Sequence, residues 1–549
     1  MKKTALFTLA VLFGAATFAQ KDTLNAVVKV ENDYNPIIVK ANKLNFTPQV
    51  EAIATGTPLN LIFSRKATPF ERFISDRDLT NLLPKQEAAY NGYARLGYGN
   101  RNNTDLKAAY RLDLGANDKL NIFASLTGYK CDIDALEGNE WASRLFDTWF
   151  AADYTHRFDK LTLGVQGSFN KNVFNYQPAF ALPNATDKQN SGSYNLSANV
   201  VSNLAGPLSY DANIGYSLNT RKYSDGKKEA ANENQFTAGG SLTFEIDNEQ
   251  LRNLGVKADV DAFTYSSYMK PQYNEYEDYV SVRLNPFMNF RFDDWKLRIG
   301  IHADLLTANG KKAAFAPDVK FEGPIAENMT FYATANGGNS LNTFATLGEL
   351  SPYWCYRRGS AQFTPTYNVF DVETGIRMTF EPLAIYLYTG YDYQKYNLLP
   401  TIAYNNPTGF IYTDFAQTDT RTYFLGGKLS YDYGGWITAS ADARYNKWKC
   451  DGEEQLLLFA PMLEANLKAR ARICEGLYAD LGYNYARFTK ADGERIKDVH
   501  NLNMTVNYRF HKQFNAYIQG DNLLNRKYFS YAGYIARGAN VLLGLEYNF

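Results

Sequence analysis

Three things are scarce in this chain, and each scarcity closes off a class of function. It has four cysteines in 549 residues, Cys131, Cys355, Cys450 and Cys474, and none forms a CxxC pair. The four histidines, His156, His302, His500 and His511, are scattered and lie at no metal-ligand spacing from those thiols. No metal site and no cofactor is therefore expected. An excess of one charge is missing too. Lys plus Arg and Asp plus Glu both number 57, and no basic run stands out, so nothing marks a nucleic-acid partner. Long apolar runs are also absent. After residue 20 no stretch of 18 apolar residues occurs, so no helix is expected to cross a bilayer.

What the chain does have is aromatic and patterned. Tyr and Phe number 41 and 36, and aromatics make up 15% of the sequence. The opening "MKKTALFTLAVLFGAATFAQ" sets Lys2 and Lys3 before an apolar run and small residues before Gln20, the layout of a secretory signal peptide over residues 1–19. No Cys follows that site, so a lipid-anchored N-terminus is not expected.

From about residue 88 onward, apolar and polar residues alternate. In "WKLRIGIHAD" the set Trp295, Leu297, Ile299 and Ile301 opposes Lys296, Arg298, His302 and Asp304. "VFDVETGIRMTF", "LTLGVQGSFN" and "NLNMTVNYRF" repeat the pattern, and so does the terminal "VLLGLEYNF" with Leu542 as its one break. Period two describes a strand with one oily and one wet face. Runs of about eleven to thirteen residues exceed the five or six usual in a soluble sandwich and suffice to cross a membrane at a tilt. Short breaks near 115–118, 158–160, 204–207, 247–252, 292–294, 323–327, 381–383, 433–435, 473–475 and 511–513 alternate with longer segments near 131–144, 174–190, 222–234, 266–278, 338–367, 396–419 and 525–538. The expected fold is all-β: a transmembrane antiparallel barrel of about 22 strands over residues 88–549, with short periplasmic turns and long external loops. Closure predicts that the last strand, ending at Phe549, pairs with the first, because an open edge in lipid leaves backbone groups unpaired. Phe549 and Trp295 then belong to a periplasmic aromatic girdle, while Trp436 falls on lumen parity with Thr438 and Ser440. Residues 20–87 are expected to form a separate periplasmic or lumen-filling segment.

The C-terminal "FNAYIQGDNLLNRKYF", with a turn at Asp521–Asn525, and the final "LLGLEYNF" resemble the barrel of TonB-dependent outer-membrane receptors. The resemblance covers about residues 88–549 and implies a cell-outer-membrane barrel that binds or transports a solute, with no enzymatic role. The front departs from the family pattern: residues 20–87 are too short for the family's globular plug. That departure keeps a second reading open, a non-transporting barrel serving as a structural or assembly subunit of a multiprotein complex. In either case residues 20–87, through "NAVVKV", could engage TonB or another periplasmic or outer-membrane protein by adding a strand to its sheet. The remaining expected partners are outer-membrane lipid and lipopolysaccharide.

Candidate site residues are few. In "LSPYWCYRRGSAQF", Tyr353, Trp354, Tyr356, Arg357 and Arg358 join aromatic faces to guanidinium groups, a combination that binds sugar rings or anions, or else packs the loop on itself. "YNLLPTIAYNNPTGFIYTDF" reads as a second Tyr- and Asn-rich external loop. Arg298, His302, Asp304, Asp371, Glu373 and Arg377 fall on lumen parity. No nucleophile–base set accompanies the His–Asp pair, so it reads as wet wall. Cys131, Cys355 and Cys450 map to the external rim and Cys474 to a periplasmic turn, which leaves at most one disulfide, among the first three.

Overall fold

The computed structural model describes residues 90–134, 140–178, 188–203, 206–224, 228–267, 276–356, 362–405 and 409–549. The signal peptide and the segment 20–87 lie outside the described residues, as do Arg357 and Arg358. Of 25 strands, three short pieces (Gln177–Pro178, Phe529–Tyr531 and Tyr534–Ile535) stand apart from the wall. The remaining 22 form one closed antiparallel barrel, each paired with its sequence neighbours.

Closure is made by backbone. The first strand, Gly92–Gly99, pairs with the last, Asn540–Asn548, in register from Tyr93↔Asn548 to Gly99↔Leu542. Beyond that ladder, the Gly92 N–H donates to the Phe549 carbonyl at 2.8 Å and the Phe549 N–H donates back at 2.9 Å. In hydrocarbon each such group left unpaired costs several kcal/mol, so the seam has no cheaper alternative than pairing.

Alternation sorts the two faces. Along Lys228–Glu245, Phe236, Leu242 and Phe244 are exposed on the outside while Glu233 is wholly buried within. At the short-turn end, exposed Phe292, Phe380, Tyr433, Tyr508, Phe510 and Phe549 form an aromatic row. Trp295 joins it, its ring 4.9 Å from that of Phe321. Trp436 sits in the turn before Ile437, more than half exposed, with the Arg472 guanidinium 5.5 Å from its ring. That turn uses Gly434 and Gly435 at φ 56° and 71°, a left-handed region that other residues enter at a cost.

Nine of the ten short breaks fall at junctions between consecutive wall strands, as the sequence pattern predicts; the tenth, 323–327, is mostly the end of the strand Ala313–Ala326, whose turn comes just after it. Strand length departs from expectation. Wall strands run from 8 to 24 residues rather than eleven to thirteen, because many continue past the lipid band on the long-loop side. The segment 396–419, expected as a loop, is instead the upper part of the hairpin Leu383–Asn405 and Phe410–Tyr433. The four cysteines are free thiols: Cys131 and Cys450 lie at the long-loop ends of their strands, Cys355 in the loop after Ser340, and Cys474 beside a short turn.

Candidate functional site at the outer mouth

The hairpin Leu383–Asn405/Phe410–Tyr433 changes environment halfway up. Its register slips between Gln394 and Asn397, where Tyr396 takes a positive φ of 55°. Such a bulge bends the strand and sharpens its twist. Side chains pin the bend. Asp419 Oδ1 accepts from the Tyr396 N–H at 3.2 Å, and Gln417 Nε2 donates to the carbonyls of Tyr396 (2.9 Å) and Thr364 (2.7 Å). Above the bulge alternation ends: Phe410, Ile411, Tyr412 and Thr413 are all buried in succession. Both faces of the run Phe410–Thr413 are covered by protein.

Part of the cover comes from across the barrel. Gln177–Pro178, continuing the fifth wall strand (Leu161–Asn175), pairs antiparallel with the start of the sixteenth, as Phe410↔Pro178 and Ile411↔Gln177. The fifth and sixteenth strands stand eleven places apart in a ring of 22, on opposite walls. A backbone ladder thus spans the mouth.

The loop after Ser340 docks beneath this bridge. It carries a short helix, Phe344–Leu350, opened by a capping box in which Thr343 and Thr346 exchange side-chain-to-backbone hydrogen bonds. The Phe344 N–H donates to both carboxylate oxygens of Glu233, at 3.0 and 3.1 Å, and Asn219 Nδ2 donates to Oε1 at 3.1 Å. Glu233 lies above Phe236, the uppermost exposed ring on its strand and hence the top of the lipid band there. Burial pushes its carboxyl from the ordinary 4.5 up to about 7, against the opposing pull of these donors. Arg221 donates to the carbonyls of Pro352 (2.6 Å) and Trp354 and lies over the rings of Phe174 and Trp354. Thr413 ties three segments together: its N–H donates to the Tyr353 carbonyl (3.1 Å), its hydroxyl to the Ala532 carbonyl (2.9 Å), and Ser351 Oγ lies 2.8 Å from the same hydroxyl.

Tyr353, Trp354 and Tyr356 all lie in this closure and all are buried. Tyr353 stacks on Tyr534 with centroids 3.6 Å apart and meets Trp141 and Phe174 edge-on; Tyr176 stacks on Phe410 at 4.4 Å. Of the external-loop set, then, the aromatic rings contact each other and neighbouring segments, not open solvent. Rings from opposite walls meet in one dry cluster, each pair worth about 0.5–1.5 kcal/mol beyond its buried area. Within and beside it several polar atoms are buried with no hydrogen-bond partner among the described residues: both ends of the Gln177 amide, Trp141 Nε1, Ser143 Oγ and Arg221 Nε. A buried polar group left unpaired costs about 1–3 kcal/mol, and the barrel wall carries others of the same kind, among them Asp392 Oδ1 and Arg472 Nε.

Below the closure the inner wall carries polar ladders that are mostly paired, though Asp392 Oδ1, Arg283 Nε and Thr422 Oγ1 are buried without a hydrogen-bond partner among the described residues. Arg298 Nε donates to Asp318 Oδ2 at 2.7 Å and Arg298 Nη2 to Asn285 Oδ1 at 3.0 Å, with the guanidinium 3.7 Å from the Phe287 ring centroid. His302 and Asp304 share a face but do not pair. His302 Nε2 meets Asn336 Oδ1 at 3.1 Å, whereas Asp304 accepts from the Asn339 N–H at 2.6 Å. The latter contact needs Gly338, at φ 109° in a bulge, where a Cβ would sit 3.1 Å from the Asp304 carboxylate. Glu373 accepts from the hydroxyls of Tyr332 (2.7 Å) and Tyr386 (2.8 Å), and Arg377 lies over both rings. Asp371 stands directly across from Asp392, whose Oδ2 accepts from Gln394. Among the described residues no group of three or more His, Cys, Asp or Glu could hold a metal ion.

Sequence reading missed Arg221, Glu233, Gln177 and Thr413. The usable signal lay in "FIYTDF": three consecutive apolar residues, Phe410 to Tyr412, break the alternation and mark a strand covered on both faces.

No family model and no curated protein matches this sequence. Solved structures do match. The FrpB iron transporter from Neisseria meningitidis aligns over 86% of this chain and 83% of its own, with a TM-score of 0.64 and 14% identity. The ferric enterobactin receptor PfeA from Pseudomonas aeruginosa covers 83% and 80% (TM-score 0.63, 13% identity), and the ferric-catecholate import receptor Fiu from E. coli K12 covers 85% and 82% (0.62, 10%). At these identities the likeness is one of fold, and that fold is the closed 22-strand barrel of TonB-dependent outer-membrane receptors.

Proposed function

We propose that this barrel is an outer-membrane receptor whose external closure recognises a solute and opens to pass it. The observation that carries the reading is the set of unpartnered buried atoms on Gln177, Trp141, Ser143 and Arg221 at the mouth. A closed structure bears that cost, and a bound molecule can repay it by supplying donors and acceptors. The solute this chemistry suits is polar, with hydrogen-bonding groups for the Gln177 amide and the Arg221 and Trp141 N–H groups, and flat faces for the surrounding Tyr and Trp rings. Among the structural neighbours FrpB is described as an iron transporter, Fiu as a ferric-catecholate import receptor and OprC as a copper transporter, which supports solute uptake as the class of activity. Coupling to TonB or another periplasmic protein would run through residues 20–87.

A second reading, a non-transporting scaffold in an outer-membrane complex, is favoured by the backbone ladder across the mouth, since a fixed lid suits a barrel that never opens. Planar-bilayer conductance separates the two. The receptor reading expects a silent wild type and measurable current once the lid is broken, for instance by Ile411→Asp. If that variant folds and stays silent, and the protein purifies in fixed ratio with other envelope proteins, the receptor reading fails.

A further inference from the structure

One junction in the wall is paired over only part of its height. The strands Ala313–Ala326 and Met329–Ser340 are laddered from Ala326↔Met329 up to Val319↔Ala335, and there the pairing stops. Neither strand ends at that point. Ala313–Pro317 stays paired with Trp295–Leu306 on its other side, and the end of Met329–Ser340 stays paired with Thr366–Phe380. The later strand instead passes behind the earlier one. A β-carbon on Gly337 would come within 2.6 Å of the Ala316 β-carbon, which is buried on the lumen side.

The edge left open lies in lipid. Ten residues up from Trp295, about the span of a tilted crossing, is Leu305, exposed and directly opposite Ala313. The Leu306 N–H donates to the Lys312 carbonyl at 2.9 Å, which sets the even-numbered residues of 313–317 as those bonded to Trp295–Leu306. Ala313, Phe315 and Pro317 therefore turn their backbone groups to the open side. Pro317 brings no N–H there, the usual way to blunt an edge. Two side chains replace the missing ladder. The Tyr367 hydroxyl donates to the Phe315 carbonyl at 2.6 Å, and Asp304 Oδ2 accepts from the Asn339 N–H at 2.6 Å. Carrying the register of Val319↔Ala335 upward would set Phe315 opposite Asn339. The Asn339 N–H and the Phe315 carbonyl, which would then bond each other, are thus each capped by a side chain from a neighbouring strand. The Phe315 N–H has no strand across from it. Between the ladder and the displaced end stand Gly337 and Gly338, the latter at φ 109°. Glycine enters that conformation freely and the extended one as well.

We propose that Gly337–Gly338 is a hinge, and that Gly338–Ser340 has a second position, zipped onto Ala313–Pro317 in the wall. In that exchange the Asn339 N–H passes from Asp304 Oδ2 to the Phe315 carbonyl, the Tyr367 hydroxyl is released, and the Phe315 N–H gains the Asn339 carbonyl. Two side-chain caps are traded for two ladder bonds, and a backbone edge leaves the hydrocarbon. A trade so nearly balanced makes a two-position element that other contacts can bias. The loop that starts at Ser340 carries the helix Phe344–Leu350, Tyr353 and Trp354, and only three residues separate Ser340 from Phe344, whose N–H Glu233 holds. Drawing Ser340 into the wall pulls that N–H off Glu233, so the wall position belongs to the open mouth. This coupling rests on the receptor reading; the strand exchange does not.

The test uses the full-length protein in liposomes, with Cys131, Cys355, Cys450 and Cys474 replaced by Ala, and adds Ala314→Cys and Ser340→Cys. In the wall position these two form a non-hydrogen-bonded pair with Cα atoms about 4.5 Å apart, within disulfide reach. A mild oxidant is added and the linked peptide is followed by mass spectrometry. Gly338→Val excludes a φ of 109° but suits an extended strand, so linkage should run roughly tenfold or more faster than with Gly338 in place. Asp304→Ala removes the acceptor on Asn339 without touching the hinge and should act in the same direction. Heat-modifiable gel mobility confirms that each variant is folded. Linkage at one rate in all three proteins, or none in either variant, overturns the hinge. Linked protein should also pass current across a planar bilayer where the reduced protein is silent. Linkage that leaves the bilayer silent while Ile411→Asp conducts overturns the coupling to the mouth. If both are silent, the receptor reading fails and the strand exchange stands.

Discussion

Two halves of one hairpin live in different solvents. Below the bulge at Gln394–Asn397, Leu387, Leu425 and Leu429 face outward and are exposed, while Tyr388 and Phe424 face inward and are buried. Above it, Phe410 to Thr413 are buried without alternation. The backbone ladder is continuous through both halves apart from the bulge. What differs is what meets each face: lipid and lumen below, protein on both sides above. Alternation in a strand therefore reports a difference between its two environments rather than the presence of a strand.

The largest effect that breaks this comparison should come from the upper half. Ile411→Asp puts a carboxylate at a fully buried position among aromatic rings. An uncompensated buried charge costs about 3–5 kcal/mol, enough to displace the arm from Gln177–Pro178. Protease sensitivity of the 397–418 arm, and current across a planar bilayer, should both rise while the barrel itself stays folded. An unchanged digestion pattern would mean that the arm is not held by this packing.

The lower half should respond to the same kind of insult through lipid instead. Leu429 sits four residues above Tyr433, near the middle of the hydrocarbon span. Leu429→Arg is expected to cost about 2–4 kcal/mol in urea unfolding from liposomes. Leu399→Arg, on the upper arm where Leu399 is buried against Leu457 and Ala460, should leave liposome unfolding nearly unchanged and disturb that packing above the lipid band instead. If both variants shift unfolding equally, the boundary at the bulge is misplaced.

This division explains what could be read in advance. The wall was legible because lipid on one side and polar groups on the other force period two over every crossing, and because Gly434–Gly435 or Asp293–Asp294 leave unmistakable turn chemistry between strands. The upper hairpin was not. Pro400, Asn405, Asn406 and Pro407 have loop composition, and a strand buried on both faces carries no periodic mark. Tyr353 and Trp354 stood out as an aromatic cluster, but their partners Tyr176, Tyr534 and Arg221 lie more than a hundred residues away, and only the closed ring brings opposite walls together.

An intermediate effect should come from Arg221. Its guanidinium donates to two loop carbonyls and is buried, so Arg221→Met removes the donors yet keeps an apolar stem over Phe174 and Trp354. Leaving the Pro352 carbonyl without its donor, while the Tyr176 hydroxyl still donates to that of Trp354 at 3.2 Å, should loosen the loop by about 1–3 kcal/mol, measurable as faster hydrogen exchange at Ser351–Tyr356.

A last effect, of similar size but confined to one pH window, tests whether the closure is tuned. In the closed mouth the Glu233 carboxyl is raised to about 7; in an opened loop it would return toward its ordinary 4.5. The closed state then holds more protons than the open state between those two values. Its extra stability is fully present below about pH 4.5 and is lost as pH rises through 7, so alkaline conditions should favour opening. With the group wholly buried, the linkage amounts to about 1–3 kcal/mol across that window. Hydrogen exchange at Phe344 and the helix it opens should accelerate from pH 5 to pH 8 beyond the intrinsic base-catalysed rate. Glu233→Gln keeps the shape and an acceptor for the Phe344 N–H but cannot titrate, so the excess should vanish. Should the excess persist in that variant, the titrating group is not Glu233 and the helix is held by its aromatic packing rather than by this carboxyl.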